Sequence, residues 1–352
     1  MQPVRGPGEA TTADDHELPV AEPAAGPGLT RPGFRHEAAV YRGDKGFLDV
    51  TVDYVRDGLH AGERVLVAVI PPRIGLLRDA LGADADRALF VDMALAGRNP
   101  ARIIPMWREL IEDGGGGPVR GIGEPVWHGR RPAELAEALL HEALLNLAFA
   151  DGSRLLLRCP YDADALGGAM VGHANRRHPV VVECGTEPNG VRPNSVRPNS
   201  VRHGGVGYDG ATEAAAEFAW PLPDADEWAP EVFEFHRIAT VRWLRAMVGE
   251  RAQRLGIGGD RAADLVLAVH EIAVNSLRHG GGRGTLRLWV DDAALVCEIT
   301  DRGHIEQPLI GRVRPTSEQL SGRGVWLANQ LCDLVQIRSS AAGTTVRMHA
   351  AL

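Results

Sequence analysis

The sequence predicts an α/β protein built as two domains, and three observations carry that prediction. Between about residues 34 and 185 strand-like and helix-like stretches alternate, which implies a mostly parallel sheet with helices on its faces. Residues 186–230 break the alternation with tandem V-R-P-N-S units. From residue 231 a second pattern starts, in the order helix, helix, strand, strand, helix, strand, strand. A length of 352 residues suits two domains of ordinary size.

Residues 1–32 are rich in Pro, Gly, Ala and Glu and read as disordered, with no apolar segment of a secretory signal. A first helix opens at Asp44, a good N-cap residue, and stops near Gly62. Arg64 to Ile70 is a continuous apolar, β-branched run, the pattern of a strand buried on both faces. Pro71-Pro72 then starts another helix. Ala88–Asp92, Val119–Gly123, Arg154–Cys159 and Val180–Cys184 are further strand candidates, separated by helical patterns at about 99–113 and 131–149. A pentad with Pro and Asn in every unit holds neither a helix nor a core, so 186–230 reads as a flexible linker. Residues 231–255 read as one long helix with Val241, Leu244, Val248, Ala252 and Leu255 on its apolar stripe, closed by Gly256. A second helix runs from about Asp260 to His279 and stops at three glycines. Strands at 285–290 and 294–300 follow, joined at Asp291-Asp292. The segment 303–321 has no clear period; a helix at 325–333 and strands at 334–339 and 344–350 complete the chain.

A formal net charge of -8 argues against a nucleic-acid surface as the main function. Lys45 is the only lysine, so there is neither a G-K-[ST] loop nor a kinase-like V-A-I-K strand. No apolar run approaches the ~18–20 residues of a membrane span. The four cysteines, Cys159, Cys184, Cys297 and Cys332, lack C-x-x-C spacing and sit among apolar neighbours. Buried thiols in a reduced, cytoplasmic protein are the simple reading. The spacing of Cys159, His173, His178 and Cys184 matches no metal template.

Four motifs of the last quarter carry chemistry: His270 to Gly280, Asp301 to Gly303, Gly322 to Gly324, and Gly343 to Thr345. Glu271, Asn275 and His279 are spaced i, i+4, i+8, one row of a helix, with Leu265, Val269, Ile272 and Ser276 on the core stripe. An amide oxygen is a hard ligand suited to Mg²⁺, and a neighbouring glutamate can orient or deprotonate a nucleophile. Asp301 ends a strand and can accept a hydrogen bond from an adenine amino group; Gly303 lets the chain turn beside the base. Gly322-Arg323-Gly324 precedes a helix, so its N–H groups can face phosphates, with Arg323 adding charge. Gly343 and Thr344 would close the pocket near the base. Singly, each motif also fits a solvated helix face, a turn, a loop-to-helix transition or a hairpin. All four in order favour a nucleotide pocket.

With these motifs, residues 231–352 resemble the ATPase domain shared by histidine kinases, gyrase B and MutL, and most of all the anti-sigma serine kinases of the RsbW and SpoIIAB type. The resemblance implies an α/β sandwich, a mixed sheet covered by helices on one face. It implies Glu271 as catalytic base and Asn275 as Mg²⁺ ligand, Asp301 and Gly303 at adenine, Gly322 and Gly324 at phosphate, and Gly343-Thr344 as the closing G-T. It further implies ATP and Mg²⁺ as cofactors, an anti-anti-sigma (STAS) protein as phosphoacceptor, a sigma factor as second partner, and a homodimer. One departure stands out: His304-Ile305-Glu306 replaces the further glycine that often follows D-x-G, so the lid differs in shape or mobility. A sensor histidine kinase is the nearest competitor, but His236 lies in F-E-F-H-R-I-A-T, outside the usual phosphoacceptor context. A nucleotide-dependent binding module without kinase activity is the other alternative.

Residues 33–185 resemble the MEDS sensory domain found before such ATPase domains in actinobacterial regulators. The resembling stretches are His36 to Tyr41, Gly97 to Arg102, Gly123 to Trp127, His141 to Asn146 and Cys159 to Asp162. Glu142 and Asn146 repeat the spacing of the Glu271–Asn275 pair, but no D-x-G or G-x-G follows in register, so the echo reads as chance on an amphipathic helix. Ligands of open parallel sheets bind beyond the carboxyl ends of the strands. By that rule Glu124, Trp127, Tyr161 and Asp162 line a sensory pocket with Arg102 nearby, or else only satisfy loop backbone. A long tether implies weak mechanical coupling, so any coupling must run through domain–domain contact.

Overall fold

A computed structural model of the chain describes residues 33–150, 152–183, 200–203, 210–291, 293–316 and 322–352. The expected disordered N-terminus, and the pentads up to residue 199, lie outside the described residues.

The first half alternates β1 (Arg35–Tyr41), α1 (Gly43–His60), β2 (Arg64–Val69), α2 (Pro71–Leu81), β3 (Leu89–Asp92), the short α3 (Met93–Ala96), α4 (Ile103–Asp113), β4 (Val119–Gly123), α5 (Pro132–Ala148), β5 (Leu155–Asp162), α6 (Ala163–Arg177) and β6 (Val180–Glu183). Strand order is β3-β2-β4-β5-β1-β6, all parallel, as the alternation predicts. Helices pack on both faces: Phe47, Val55 and Leu77 fill one core, and Trp107, Leu144 and Leu157 the other. Besides the short α3, two elements escape the sequence reading. R-H-E-A-A-V-Y forms the strand β1 between β5 and β6; its polar start hid it, because His36 and Glu37 are buried there. The glycine-rich α6 is started by Asp162, whose carboxylate accepts from the backbone N–H groups of Asp164 and Ala165. Asp44, expected to cap α1, sits in its first turn instead and pairs with Arg73 at 2.7 Å.

The stretch expected to be a flexible linker carries ordered pieces. β7 (Ser200–His203) adds to the first sheet antiparallel to β6. α7 (Gly210–Ala219) buries Ala214 and Phe218, and Arg177 reaches its Glu213 and Glu217. Alanines at helical spacing and an anchoring phenylalanine supply an apolar face that the neighbouring repeat lacks.

The second half comprises β8 (Glu231–Phe235), α8 (Ile238–Arg254), α9 (Gly259–His279), β9 (Gly284–Val290), β10 (Ala294–Asp301), α10 (Arg323–Leu331), β11 (Leu334–Ser340) and β12 (Gly343–Ala351). The single helix expected over 231–255 is therefore a strand and then a helix. E-V-F-E-F alternates, burying Phe235, and pairs with β9 as an edge strand. The order is β11-β12-β10-β9-β8. The expected sandwich forms, with one difference in detail: every pairing is antiparallel rather than mixed. Four of the five stripe residues of α8 are buried, together with Leu265, Val269, Ile272 and Ser276 of α9. They pack on Cys297, Ile299, Val335, Val346 and Met348. The alternate residues of those strands, Glu298, Gln336, Arg338, Arg347 and His349, are polar and also buried. Among the described residues, no helix is long and apolar enough to cross a membrane.

Candidate functional site

Helix α9 organises the C-terminal site. Glu271 and Asn275 lie one turn apart and face the start of α10. A Cβ placed on Gly324 would stand 3.0 Å from both Asn275 Nδ2 and Glu271 Oε2, so only a glycine lets the α10 backbone come this close. Gly322 precedes α10 with φ 88°, a left-handed conformation that turns the chain into the helix N-terminus. The backbone N–H groups of that first turn, the carboxylate and the amide thus share one location. This cradle fits a metal-bound polyphosphate: hard oxygen donors on one wall, N–H donors on the other.

About five residues along α9, or ~8 Å of helix rise, the second group assembles. Asp301 ends β10 against Gly280, where a Cβ would lie 2.3 Å from the Asp301 Cγ. Asp301 Oδ1 accepts the Gly303 N–H at 2.7 Å, and Arg302 N–H donates to Gly280 O at 3.2 Å, which ties the D-x-G turn to the end of α9. β10 and β12 place Asp301 opposite Thr344. Thr344 Oγ1 donates to Gly303 O and sits 2.9 Å from Ser339 Oγ, which in turn accepts the Ile305 N–H. Gly343, with φ 138°, has no room for a Cβ beside Asp301 O. Asp301, Gly303, Gly343 and Thr344, which the sequence motifs group, therefore form one wall. His279 contributes its backbone to this wall, while its side chain is exposed. The exposed Arg323 guanidinium reaches Thr316 O at 3.5 Å.

The lid departs from a free flap. His304 Nδ1 lies 3.1 Å from Ser340 O, so the histidine that stands where a glycine is common pins the lid base to β11. Further along, Leu309 packs on the N-terminal core and Arg312 Nη2 reaches Glu137 Oε2 of α5 at 2.9 Å. Arg338 of β11 holds the other oxygen of Glu137 at 2.7 Å. Burial pushes the Arg312 guanidinium pKa down, opposed by Glu137. Sequence reasoning missed Glu137 and Arg312, since neither lies in a motif.

The five residues assigned to a sensory pocket separate. Glu124 and Asp162 gather at the carboxyl ends of β4 and β5 around Arg73, whose Nη2 is 3.0 Å from Asp162. Glu124 Oε2 accepts the Ile70 N–H at 3.1 Å, and burial pushes its carboxyl pKa up to about 7. Tyr161, one residue before Asp162, faces the opposite side of the sheet beside His178, as strand alternation requires. Trp127 lies under Arg130, whose Nη1 and Nη2 donate to Pro125 O and Gly97 O, joining two of the N-terminal motif loops. Arg102 is not at the pocket. Its Nε and Nη2 donate to the carbonyls of Asn329, Gln330 and Cys332 at 2.7–2.8 Å, capping the C-terminus of α10. Asn99 joins it through Asn329. His236, the competing phosphoacceptor, lies exposed between β8 and α8. Of the cysteine and histidine set without a metal template, Cys159 and His178 are both buried on one face of the first sheet, whereas His173 interacts with Arg177 at 2.6 Å and Cys184 lies outside the described residues.

Residues 35–179 match the family described as MEDS, the methanogen/methylotroph, DcmR sensory domain, and residues 236–350 match the histidine kinase-like ATPase domain. No curated protein matches the chain. Among solved structures it is similar to the RsbU and RsbW domains of Rv1364c from Mycobacterium tuberculosis, at 20% identity over 34% of this chain and 32% of that one, with a TM-score of 0.26. It is also similar to the SiaB–SiaC complex from Pseudomonas aeruginosa, at 10% identity over 35% of this chain and 91% of that one, with a TM-score of 0.30. The chain thus spans about a third of the length of the first of these structures.

Proposed function

Since the chain joins a MEDS domain to a histidine kinase-like ATPase domain, we propose that it is an anti-sigma regulator with protein serine/threonine kinase activity. It binds ATP with Mg²⁺, phosphorylates an anti-anti-sigma protein of STAS type, and sequesters a sigma factor when that partner is phosphorylated. The observation that carries the reading is the approach of Glu271 and Asn275 to the start of α10 across Gly324. Bound Mg²⁺ would be held through Asn275 Oδ1 and supplies charge neutralisation of the phosphates. Glu271 accepts the proton of the partner's hydroxyl as it attacks. Asp301 takes the adenine amino group, with Gly303, Gly343 and Thr344 packing around it. The N–H groups after Gly322, with Arg323, hold the phosphates in a chain that has no lysine for them. The MEDS domain biases this site through Glu137 and Arg102.

Incubation with labelled ATP and a candidate STAS protein tests the reading. Glu271→Ala is expected to cut transfer by about 10²–10⁴-fold while ATP binding stays within a few-fold of the wild type. A second reading, nucleotide-dependent binding without transfer, is favoured by the lid's attachment to α5. ATP binding with no label on any partner serine or threonine supports that alternative. Acid-labile label on the chain itself would count against both.

A further inference from the structure

We propose that His36, Glu142, Cys159 and His178 form a closed four-ligand site for a transition-metal dication, zinc by preference, inside the N-terminal domain. The residues come from four places. His36 lies on β1 and Cys159 on its neighbour β5, where Ala38, two residues from His36 and on the same face, pairs with Cys159. His178 ends α6 just before β6, the other neighbour of β1. Glu142 comes from α5, which covers that face. All four are fully buried, and one donor atom of each lies within 4.8 Å of all the others. His36 Nε2 and His178 Nε2 stand 3.1 and 2.9 Å from the same oxygen, Oε2 of Glu142, and Cys159 Sγ is 3.4 Å from His36 Nε2. Tetrahedral zinc with bonds of about 2.0–2.3 Å sets its ligand atoms roughly 3.3–3.6 Å apart, so Cys159 and His36 already fit, the two histidine–glutamate contacts widen slightly, and the remaining pairs start within 4.8 Å.

The hydrogen bonds behind the ligands make the argument specific. His178 Nδ1 is 2.9 Å from Ala174 O, which can only accept, so Nδ1 carries the proton. Asn146 Nδ2 donates to Arg177 O at 2.9 Å and Glu142 O at 3.3 Å; its oxygen is thereby turned to His36 Nδ1, at 3.1 Å, which must donate. In their neutral form both rings then aim an Nε2 lone pair at the same carboxylate oxygen, with no donor between ring and carboxylate. Neither Oε1 nor Oε2 of Glu142, nor His178 Nε2, has an aligned hydrogen-bond partner. A dication between these atoms removes the conflict. Histidines whose far N–H is fixed by a carbonyl or amide are the usual supports of a metal centre, and carboxylate with thiolate neutralises a 2+ ion in a site closed to water. The Glu142/Asn146 spacing on α5 is then a ligand and its outer support. Burial of Cys159 leaves no access for a substrate, which excludes a Cys–His nucleophile.

The full-length chain, expressed in minimal medium with zinc or with cobalt, provides the test. One metal per chain by elemental analysis is expected, and the cobalt form should show tetrahedral d–d bands with a thiolate charge-transfer band. Cys159→Ser should lose the charge-transfer band. Asn146→Ala, which keeps all four ligands, should weaken metal affinity by about 10–100-fold. A folded wild-type chain that holds no metal and gives no visible cobalt spectrum overturns the proposal, whatever the variants do. Stoichiometric metal with an unchanged spectrum in Cys159→Ser places the metal elsewhere and overturns it too.

Discussion

Glu124 shows what one residue contributes when its surroundings are fixed by others. It is 3% exposed, and burial raises its carboxyl pKa from the ordinary 4.5 to about 7, with the Ile70 N–H and Arg73 pulling the other way. The charged groups facing it are Arg73 of α2 and Asp162 of β5; the Tyr41 hydroxyl of β1 stands beside it, and Asp44 of α1 acts on that hydroxyl. A raised carboxyl pKa means that the folded state keeps a proton the unfolded chain releases. Its contribution is complete below pH 4.5, declines as pH rises, and is gone above about 7. Glu124→Gln keeps an acceptor for Ile70 and removes this slope. Relative to wild type, the variant should gain roughly 2–3 kcal/mol between pH 4.5 and 7.5, at ~1.36 kcal/mol per pH unit, by urea denaturation at both ends. A stability difference that does not change with pH would refute the assignment.

At the scale of elements, α10 joins the two halves of the chain. Its N-terminus faces Glu271 and Asn275, and its last carbonyls are capped from outside by Arg102. A guanidinium there opposes the helix dipole favourably and satisfies carbonyls that the helix leaves unpaired. Arg102→Ala is expected to cost about 2–4 kcal/mol, from hydrogen bonds worth roughly 1.5–3 each to a charged donor, less solvent compensation. Hydrogen exchange should show α10 amides accelerating more than those of α8. Uniform acceleration across the C-terminal sheet would mean that Arg102 supports the fold at large and not this helix. α5 has a similar double role: Glu137 near its start holds Arg312 and Arg338, and Glu142 one turn on points into the His36–His178 cluster.

At the scale of the whole molecule, the ion pairs of Glu137 link α5 to the 303–316 segment and to β11. One carboxylate, fully buried, sits between two guanidiniums that are 6% and 8% exposed as residues. Removing one partner of such a buried ion pair costs about 3–5 kcal/mol, because the remaining charges stay desolvated. Glu137→Ala should lower stability by that amount and raise protease cleavage within 303–316, while Glu137→Ala with Arg312→Met should recover part of the loss. Equal cleavage of wild type and variant would show that the lid is held by something else. Any coupling between the domains would have this side-chain contact between α5 and the 303–316 segment as a route, independent of tether length.

Much of this protein is determined by sequence alone. Alternating strands and helices fix the parallel sheet of the first half, and the amphipathic stripes of α8 and α9 fix the sandwich of the second. Four short motifs fix which residues meet in the candidate site, because i, i+4 spacing and strand ends are local geometry. The errors are local too. Residues 231–235 read as helix because two phenylalanines fit either period, and β1 does not read as a strand because its histidine and glutamate look like surface residues. Only tertiary structure could decide the rest. Glu137 and Arg312 are distant in sequence, and neither has a motif or a spacing that announces the other. Arg102 leaves the strand-end pocket because the nearest unpaired carbonyls belong to α10. His36, Glu142, Cys159 and His178 become a cluster only when β1 is laid between β5 and β6 under α5. Spacing along a chain encodes what one element presents; which elements face each other is set by packing, and the chemistry of these buried groups follows from that.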